Sequence, residues 1–406
     1  MQERPQPLTV LCLSSAVKGQ RLIRALKAAG CRVFLLTEER WRNEDWPYDA
    51  LDGVHYMHSL ADRRHVINAA AYMARGLKID LIIPLDEYEV ETAGVLREHF
   101  QLPGMTASQA RPFCDKLAMR VRAQAAGIPT PSFVPIFNYD ALREWMRVTP
   151  PPWLLKPRHE AGAMGIKRCE HSEQVWRLLD QLGDEQSFRL LEEFVPSDVF
   201  HVDAIVWQGQ VLFSTVSAYG QPPLAVSHGG GVFHSWMLPE ESEESQALRE
   251  LNARVIAALG YPGFSGIVHA EFLRAHSDGR WLFLEAAARV GGAHISDMIE
   301  FATGVNLWVE WARIELALAR GEPYHLPAVR RGFAGVVICL ARQPQPDLSA
   351  YNDPEVVWHL EKKHHAGLIV ASPDPERVRW LVKTYANRFA TDFLARAEPW
   401  ETGRNV

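Results

Sequence analysis

The chain has 406 residues, of which 47% are hydrophobic and 23% charged, and its formal net charge is −6. This composition is ordinary for a globular protein with two to four domains' worth of core. The acidic balance gives no electrostatic reason to expect nucleic acid as a partner, and no apolar run approaches the ~18 residues that would span a membrane.

The N-terminal segment and the cysteines bear on the cellular compartment. Residues Met1–Pro7 lack the apolar core of a secretory signal peptide. The five cysteines are widely spaced and form no CxxC pair, which predicts neither a disulfide framework nor a zinc cage. We therefore expect a cytoplasmic protein.

Strand-like and helix-like segments alternate through the first hundred residues. Three strands and two helices are predicted in this order: strand Leu8–Leu13, helix Gln20–Ala29, strand Arg32–Thr37, helix Val66–Arg75 and strand Asp80–Pro84. This βαβ rhythm predicts a parallel sheet covered by helices. We assign it to an N-terminal α/β domain, residues 1–105.

Residues 106–190 are predicted to form a helical linker followed by a small α/β subdomain. Gly104–Gly127 reads as a helical stretch. After proline-rich breaks, Trp153–Pro157 and Gly165–Cys169 predict strands, and Val175–Leu182 predicts a helix.

Strands dominate residues 191–330, which we predict to be a central subdomain. The predicted elements are strands Arg189–Val195, Val199–Trp207 and Val211–Ser217 and helix Asn306–Ala319. In residues 331–406, strands Gly335–Leu340 and Gly367–Ala371 and a helix from Glu376 to about Phe389 predict a C-terminal extension that packs on the core.

Two short apolar runs, Gly266–Leu273 and Trp281–Arg289, predict the arms of one β-hairpin. A three-residue loop closed by glycine would place Glu271 directly opposite Glu285. Opposed carboxylates repel each other, but a divalent cation between them would turn this cost into a binding site, because Mg²⁺ takes one or two carboxylates plus substrate phosphates. The alternative is a solvated edge with two unrelated carboxylates.

Four polar features precede the hairpin in chain order. Lys116 lies on a predicted helix, Lys156 ends an apolar strand, a small-residue loop occupies Glu160–Lys167, and Glu192 and Glu193 end the next strand. Each feature also has an ordinary explanation. The lysines could be exposed at the surface, the loop could be a simple hairpin connection, and the glutamates could be charges at a strand end. The loop lacks the spacing of a Walker A motif, yet its glycines would let backbone N–H groups approach phosphate oxygens.

The joint order of these features resembles the ATP-grasp superfamily over roughly residues 105–330. The most specific piece is Leu284–Gly292 followed by Ala302–Leu307. Within the superfamily the chain is similar to carboxylate–amine ligases of the L-amino acid ligase type. The resemblance implies an α/β ATP-grasp fold, with an N-terminal parallel-sheet (pre-ATP-grasp) domain, a small lid subdomain and a central antiparallel sheet.

The resemblance also implies residues for ATP. Lys116 and Lys156 would neutralise the α- and β-phosphates. Two further groups of residues are expected to contact the nucleotide. Gly162, Met164 and Gly165 would lie in a mobile loop over the phosphates, and Glu192, Glu193, Phe194 and Val195 would lie along the adenine and ribose.

For the metal, the resemblance implies that Glu271 and Glu285 hold Mg²⁺, or Mn²⁺ in its place, against the β- and γ-phosphates. Arg289 would steady the transferred phosphoryl group or an acyl phosphate, so that Arg289 and Lys156 are the expected catalytic residues. In a strand, Glu285 and Arg289 point to the same face because side chains alternate.

One position departs from the family pattern. Ala287 stands where the pattern usually has an asparagine that acts as a third metal ligand. Alanine cannot coordinate a cation, so a second Mg²⁺ would be weak, water-rich or absent. His269, which would face Ala287 across the hairpin, could occupy the vacated space; a role in substrate binding is the alternative.

A loop rich in glycine and histidine, Ser227–Ser235, suits the approach of a small ligand, although a flexible surface turn is the alternative. The candidate substrate residues are His228, His234, His269, Arg289, Gly291 and Gly292.

The implied activity is an ATP-dependent carboxylate–amine ligation that proceeds through an acyl phosphate and releases ADP and phosphate. Its partners would be a small carboxylate and an amine, such as amino acids, with no nucleic acid or membrane; a homodimer is carried over from the resemblance. Two alternatives stay open: a bicarbonate-activating enzyme of the biotin-carboxylase kind, and an ATP-binding regulatory protein whose catalysis is degenerate, as Ala287 suggests.

Overall fold

A computed structural model describes residues 7–395, except for the side chains of residues 227–229. All five cysteines lie within this range and are buried as free thiols. None of the helices within residues 7–395 has the length and apolar character needed to cross a membrane.

The N-terminal segment folds into a four-stranded parallel sheet with strand order β3-β2-β1-β4. Its elements are β1 (Thr9–Ser14), α1 (Gln20–Ala28), β2 (Arg32–Glu38), β3 (Gly53–Met57), α2 (Arg63–Ala74), β4 (Leu81–Pro84) and α3 (Glu87–Phe100). The predicted parallel sheet is confirmed. The sequence pattern did not reveal β3, an edge strand that is only half-buried, or α3, which buries Glu89 and Glu91 among its apolar residues.

The second segment forms a small antiparallel sheet with strand order β5-β8-β6-β7. Its elements are α4 (Ala107–Ala110), α5 (Lys116–Ala125), β5 (Phe133–Pro135), α6 (Tyr139–Val148), β6 (Trp153–Pro157), β7 (Lys167–Cys169), α7 (Ser172–Leu182) and β8 (Arg189–Glu193). The stretch predicted to be helical, Gly104–Gly127, contains helical segments but is interrupted before Lys116. The Asp115 carboxylate caps a new helix by accepting from the amides of Leu117 and Ala118, so Lys116 becomes the first residue of α5.

The rest of the chain builds an eight-stranded antiparallel sheet with strand order β13-β12-β9-β10-β11-β14-β16-β15. Its first elements are β9 (Ser197–Trp207), β10 (Gln210–Tyr219), α8 (Pro223–Gly229), β11 (Phe233–Met237), α9 (Glu243–Leu259), β12 (Gly266–Ala275), β13 (Trp281–Ala287), α10 (Ile295–Thr303) and α11 (Leu307–Arg320). The C-terminal elements are β14 (Phe333–Leu340), β15 (Val356–His359), β16 (His365–Ser372) and α12 (Pro375–Asp392). The segment after residue 331 thus extends the central sheet by continuous hydrogen bonding between β11 and β14.

In the centre of the large sheet, one face is apolar and the other carries both polar and apolar side chains. On β12, Val268, Ala270 and Phe272 belong to a core that includes residues of α9 and α12. The intervening residues His269 and Glu271 point to the other face because strand side chains alternate. Further along, that second face is apolar and packs against the N-terminal sheet and α11. The polar part of the face is therefore next to the N-terminal segment.

A β-bulge in the β12–β13 hairpin decides which side chains share this face. Phe272 pairs with Phe283, whereas Glu271 pairs with Glu285, so Leu284 is left as the extra residue. Without the bulge Glu271 would face Leu284, and Glu285 would point to the opposite side of the sheet, because a one-residue slip reverses every side chain. The predicted opposition of Glu271 and Glu285 is confirmed.

The predicted three-residue hairpin loop is wrong. Arg274 pairs with Trp281, and the amide of Ala275 donates to the carbonyl of Arg280 at 3.0 Å. The loop thus has one residue more than predicted, and the bulge restores the register that the longer loop would have shifted.

Candidate active site

A cavity of about 610 Å³ lies between the small sheet, the large sheet and the start of α3. The predicted site residues that line it are Lys116, Lys156, Gly162, Met164, Glu192, Glu193, Phe194, Val195, His269, Glu271, Glu285, Arg289 and Gly292. Residues far apart in sequence, from a helix, two sheets and a loop, thus converge on one space.

The other predicted residues are placed differently. His234 is buried, its Nδ1 is 2.9 Å from the Val232 carbonyl, and it is not among the described residues that line the cavity. Gly165 and Gly291 are also not among the described residues that line the cavity. The side chain of His228 lies outside the described residues.

Lys116 is buried at the cavity wall beside a predicted metal ligand. Its Nζ is 3.3 Å from Glu285 Oε2 and also donates to the Glu160 carbonyl. Burial acts to lower the pKa of Lys116, but the charges of Glu285 and Glu87 outweigh it and raise the pKa. The ordinary explanation of Lys116 as an exposed helix lysine is therefore wrong.

Lys156 and Arg120 share one buried carboxylate. Arg120 Nη2 is 2.7 Å from Glu192 Oε2, and Lys156 Nζ bonds the other oxygen of Glu192. Arg120 also donates to the carbonyl of Leu284, the bulge residue. Burial lowers the pKa of Lys156 despite the opposing charge of Glu192. The same buried network thus fixes a phosphate-binding candidate and the bulge.

Arg289 faces acidic residues from the start of α3. Its Nη2 is 2.7 Å from Glu87 Oε2, and its Nε is 4.0 Å from Asp86 Oδ1. Asp86 is itself paired with Lys18 at 2.7 Å. Burial works against the charge of Arg289, but Glu87 and Asp86 raise its pKa. The N-terminal segment therefore supplies acidic groups to a cavity built mainly by the other two sheets.

Glu271 and Glu285 form a donor pair that fits a divalent cation. They are directly opposed on adjacent strands, both line the cavity, and Tyr219 donates to Glu271 Oε1 at 2.8 Å. Burial acts to raise the pKa of Glu285, but Lys116 and two further cations lower it, so the carboxylate is ionised. Two opposed carboxylates beside an open cavity are the oxygen donors that Mg²⁺ prefers.

Behind Glu271 lies a buried cluster of two histidines and an aspartate. His269 Nδ1 is 2.9 Å from Asp203 Oδ1, and His201 Nδ1 is 2.7 Å from Asp203 Oδ2. His201 Nε2 contacts Ser235 Oγ at 2.8 Å. Burial works against charge on His269, but Asp203 and Glu271 outweigh it and raise the pKa to about 9. The cluster thus anchors a histidine that reaches the cavity.

The predicted adenine segment is partly engaged already. The amide of Glu193 donates to the Ser132 carbonyl at 2.8 Å, and that of Phe194 donates to the Pro152 carbonyl at 3.1 Å. These bonds hold the end of β8 in place beside the cavity. Among the described residues at this end of β8, the amide of Val195 donates to no backbone carbonyl and is left for an adenine ring.

Sequence reasoning missed several residues of this site. They are Arg120, Glu87, Tyr219, Asp203 and His201. Glu87 and Tyr219 carried no local signal, since each lies on an element whose function the pattern did not suggest. Arg120 follows Lys116 by one helical turn and so shares its face, and alternation on β9 places His201 and Asp203 on one face; those two signals were available.

Comparison with known proteins gives one curated relative of named activity and many solved structures. No family model matches the chain. The L-arginine-specific L-amino acid ligase of Bacillus subtilis is 28% identical over 235 residues, which are 56% of each chain. The match therefore spans little more than half of that relative's length.

Solved structures match the chain over almost its whole length. The L-amino acid ligase from Bacillus licheniformis has a TM-score of 0.76 and 15% identity, and covers 97% of this chain and 100% of its own. A carboxyaminoimidazole ribonucleotide synthase from Aspergillus clavatus, solved with ATP, has a TM-score of 0.72 and 16% identity, over 95% and 99% of the two chains. At these identities the likeness shows the fold, and the predicted fold class is confirmed.

The first prediction concerns Gly291. A Cβ there would meet Asp203 Oδ1 and His269 Nδ1 at 2.9 Å each, whereas a Cβ at Gly292 would meet nothing within 4 Å. Because both partners are buried and bonded to each other, Gly291→Ala should lower the free energy of unfolding by about 1–3 kcal/mol. Gly292→Ala is the matched control and should unfold like the wild type. Equal urea midpoints for both variants would contradict this packing.

The second prediction concerns Glu89 on α3. Burial, and then the charge of Asp86, raise its pKa to about 8, so it is neutral in the folded chain at pH 7 but ionised when unfolded. The contribution of Glu89 to the free energy of unfolding should therefore be fully present below pH ~4 and be lost as pH rises towards 8. Glu89→Gln should be more stable than the wild type by on the order of 3 kcal/mol at pH 8 and by little at pH 4.5.

Urea denaturation at the two pH values measures this difference. Glu241→Gln, at an exposed position, serves as the control and should change stability equally little at both. A Glu89→Gln variant whose advantage is the same at pH 4.5 and pH 8 would show that Glu89 is ionised in the folded chain.

Proposed function

We propose that this chain, which belongs to the ATP-grasp superfamily, is an ADP-forming carboxylate–amine ligase that acts on amino acids or similar small acids. The observation that carries the proposal is the opposition of Glu271 and Glu285 at the wall of a cavity that also contains Lys116, Lys156 and Arg289. Phosphoryl transfer needs positioning and charge neutralisation more than covalent help from the protein. This wall supplies both.

In the proposed nucleotide site, the triphosphate lies between the small sheet and the large sheet. Lys116 and Lys156 neutralise its α- and β-phosphates, and the Val195 amide is available to the adenine edge. The metal held by Glu271 and Glu285 would offset charge on the β- and γ-phosphates. Lys116 is only 3.3 Å from Glu285, which suits two groups that serve neighbouring phosphates.

The proposed reaction has two steps. An oxygen of the substrate carboxylate attacks the γ-phosphorus, the bond to the β-phosphate oxygen breaks, and ADP leaves. The amine nitrogen then attacks the acyl carbon, phosphate departs, and the nitrogen loses a proton to give the amide. Arg289 stabilises the negative charge of the transferred phosphoryl group in both steps.

The loop around Gly162 is proposed to close over the phosphates. Gly162 and Gly165 have φ of +62° and +66°, a backbone conformation in which glycine carries no steric penalty. The loop contributes Gly162, Ala163 and Met164 to the cavity lining. Its closure would exclude water, which otherwise hydrolyses an acyl phosphate.

An amino acid is the favoured acid substrate for two reasons. The named curated relative is an L-amino acid ligase. In addition, Arg289 and Glu87 place a guanidinium and a carboxylate side by side at the cavity. Such a pair offers partners for both the carboxylate and the ammonium of a zwitterion.

The activity is tested by phosphate release from ATP over a panel of amino-acid pairs, with mass spectrometry of the products. We expect ADP, phosphate and a dipeptide in equal amounts for at least one pair. ADP formation that needs bicarbonate and no amine would instead indicate a bicarbonate-activating enzyme. Tight ATP binding without turnover for any pair would indicate a regulatory protein.

The residue roles are tested by Lys156→Met and Glu285→Gln. Lys156→Met removes a charge proposed to neutralise a phosphate, and Glu285→Gln removes a charge proposed to hold the metal. In both variants kcat should fall at least ~100-fold. Lys167→Met, on β7 next to the strand of Lys156 but exposed, should keep wild-type turnover.

Because Lys156 is buried against Glu192, circular dichroism must show that Lys156→Met is folded. If that variant does not fold, the turnover of Glu285→Gln tests the site independently. Near-wild-type turnover of a folded Lys156→Met or of Glu285→Gln would contradict the assigned roles.

A further inference from the structure

We propose that His269 is itself a metal ligand, and that its Nε2 replaces the side-chain oxygen that the family pattern supplies at position 287. The inference rests on the proposed function for the position of the metal between Glu271 and Glu285. The inference adds a nitrogen donor, His269 Nε2, to that metal site. It also assigns Asp203 and His201 the role of orienting the imidazole.

The first observation is the register of the hairpin. His269 on β12 is directly opposite Ala287 on β13, two pairs along from Glu271 and Glu285 and so on the same face of the sheet. All four residues line the cavity. Directly opposed side chains have Cβ atoms about 5 Å apart, and a methyl group leaves space that an imidazole can enter. His269 thus reaches the place where a longer residue at 287 would put its donor atom.

The second observation is which ring nitrogen faces the metal carboxylates. Nδ1 of His269 is bonded to Asp203 Oδ1 at 2.9 Å, which leaves Nε2 as the nitrogen on the side of the metal carboxylates. Nε2 is 3.7 Å from Glu271 Oε1. Adjacent ligands of an octahedral Mg²⁺ or Mn²⁺ are about 3 Å apart, given bonds of about 2.1 Å. A small movement would therefore let both atoms bind one ion.

The third observation is the support behind His269. Histidine ligands usually donate their second ring N–H to a carboxylate, which fixes the tautomer and the ring orientation. Asp203 provides that carboxylate and is held on its other oxygen by His201 at 2.7 Å. Both residues are fully buried. Burying an aspartate and a histidine in this way costs stability.

A metal held by His201, Asp203 and His269 together is the competing arrangement, since their donor atoms lie within 4.8 Å of one another. In the structure, however, both Asp203 oxygens are already bonded to ring nitrogens, at 2.7 and 2.9 Å. Only His269 of the three lines the cavity. The cavity-facing Nε2 is therefore the donor that a nucleotide-bound ion can reach.

An imidazole ligand has a chemical consequence. Nitrogen donors favour later transition metals, whereas Mg²⁺ prefers oxygen. Wild-type protein should therefore select Mn²⁺ over Mg²⁺ more strongly than a variant in which an amide oxygen replaces the imidazole.

The test uses Mn²⁺ and ADP with the full chain and reads the metal directly by pulsed electron paramagnetic resonance. The wild type should show the coupling of a directly bound imidazole nitrogen, and His269→Asn should lose it. Labelling the protein with ¹⁵N, with unlabelled ADP, must change the coupling, which assigns it to the protein rather than to adenine. His276→Asn is the matched control, because His276 is an exposed histidine paired with Asp198 in the same hairpin; it should keep the signal.

Two further variants separate ligation from folding. Asp203→Asn should weaken Mn²⁺ binding about 10–100-fold without changing the affinity for metal-free ADP. Adding Ala287→Asn to His269→Asn should restore Mn²⁺ affinity without nitrogen coupling, because an oxygen donor then returns at position 287.

A wild-type Mn²⁺–ADP complex without imidazole coupling would overturn the inference. So would a His269→Asn variant with unchanged Mn²⁺ affinity and a raised KM for an amino acid, which would make His269 a substrate contact. None of the metal measurements requires turnover. If the nitrogen coupling is present but no amino-acid pair is ligated, the ligand assignment stands and the proposed function fails.

Discussion

The candidate site depends on one backbone irregularity, the bulge at Leu284. Strand β13 carries Glu285 and Ala287 at alternate positions, and the bulge turns both towards the face of Glu271 instead of away from it. Arg289 follows two residues after the end of the strand. Arg120 binds the carbonyl of the bulge residue and, through Glu192, is tied to Lys156. The geometry of the carboxylate pair and the position of a phosphate-binding lysine are therefore set by the same buried network, and bulges next to functional sites commonly redirect side chains in this way.

Charge compensation is the second organising feature. Each cation proposed to meet the nucleotide is paired with a carboxylate: Lys116 with Glu285, Lys156 with Glu192, and Arg289 with Glu87. These pairs keep ionised groups stable in a buried cavity, where an unpaired charge would cost several kcal/mol. They also make the site responsive, because a magnesium nucleotide brings a cation for the carboxylate and phosphates for the lysine. In our account, nucleotide binding separates this pair: Lys116 moves to the phosphates, and Glu285 binds the cation.

Much of the fold and part of the site could be predicted from sequence, for identifiable reasons. The two short apolar runs Gly266–Leu273 and Trp281–Arg289 were sufficient to predict the hairpin and the Glu271–Glu285 pair. The pair was predicted correctly although the loop was not, because the longer loop and the bulge offset each other. Contacts between segments far apart in sequence, such as Arg289 with Glu87, leave no local pattern. The break before α5 depends on a cap by Asp115, which the helical composition of Gly104–Gly127 concealed.

The central claim is that Glu271 and Glu285 together hold the cation of a bound nucleotide. The most direct test is a crystal structure of the chain with Mn²⁺ and ADP, in which anomalous scattering locates the metal. Our account predicts one Mn²⁺ peak bonded to both carboxylates and to a phosphate oxygen, with Lys116 moved from Glu285 to the nucleotide. A nucleotide bound elsewhere, or a metal that leaves Glu271 bonded to Tyr219 and Glu285 bonded to Lys116 as they are now, would contradict it.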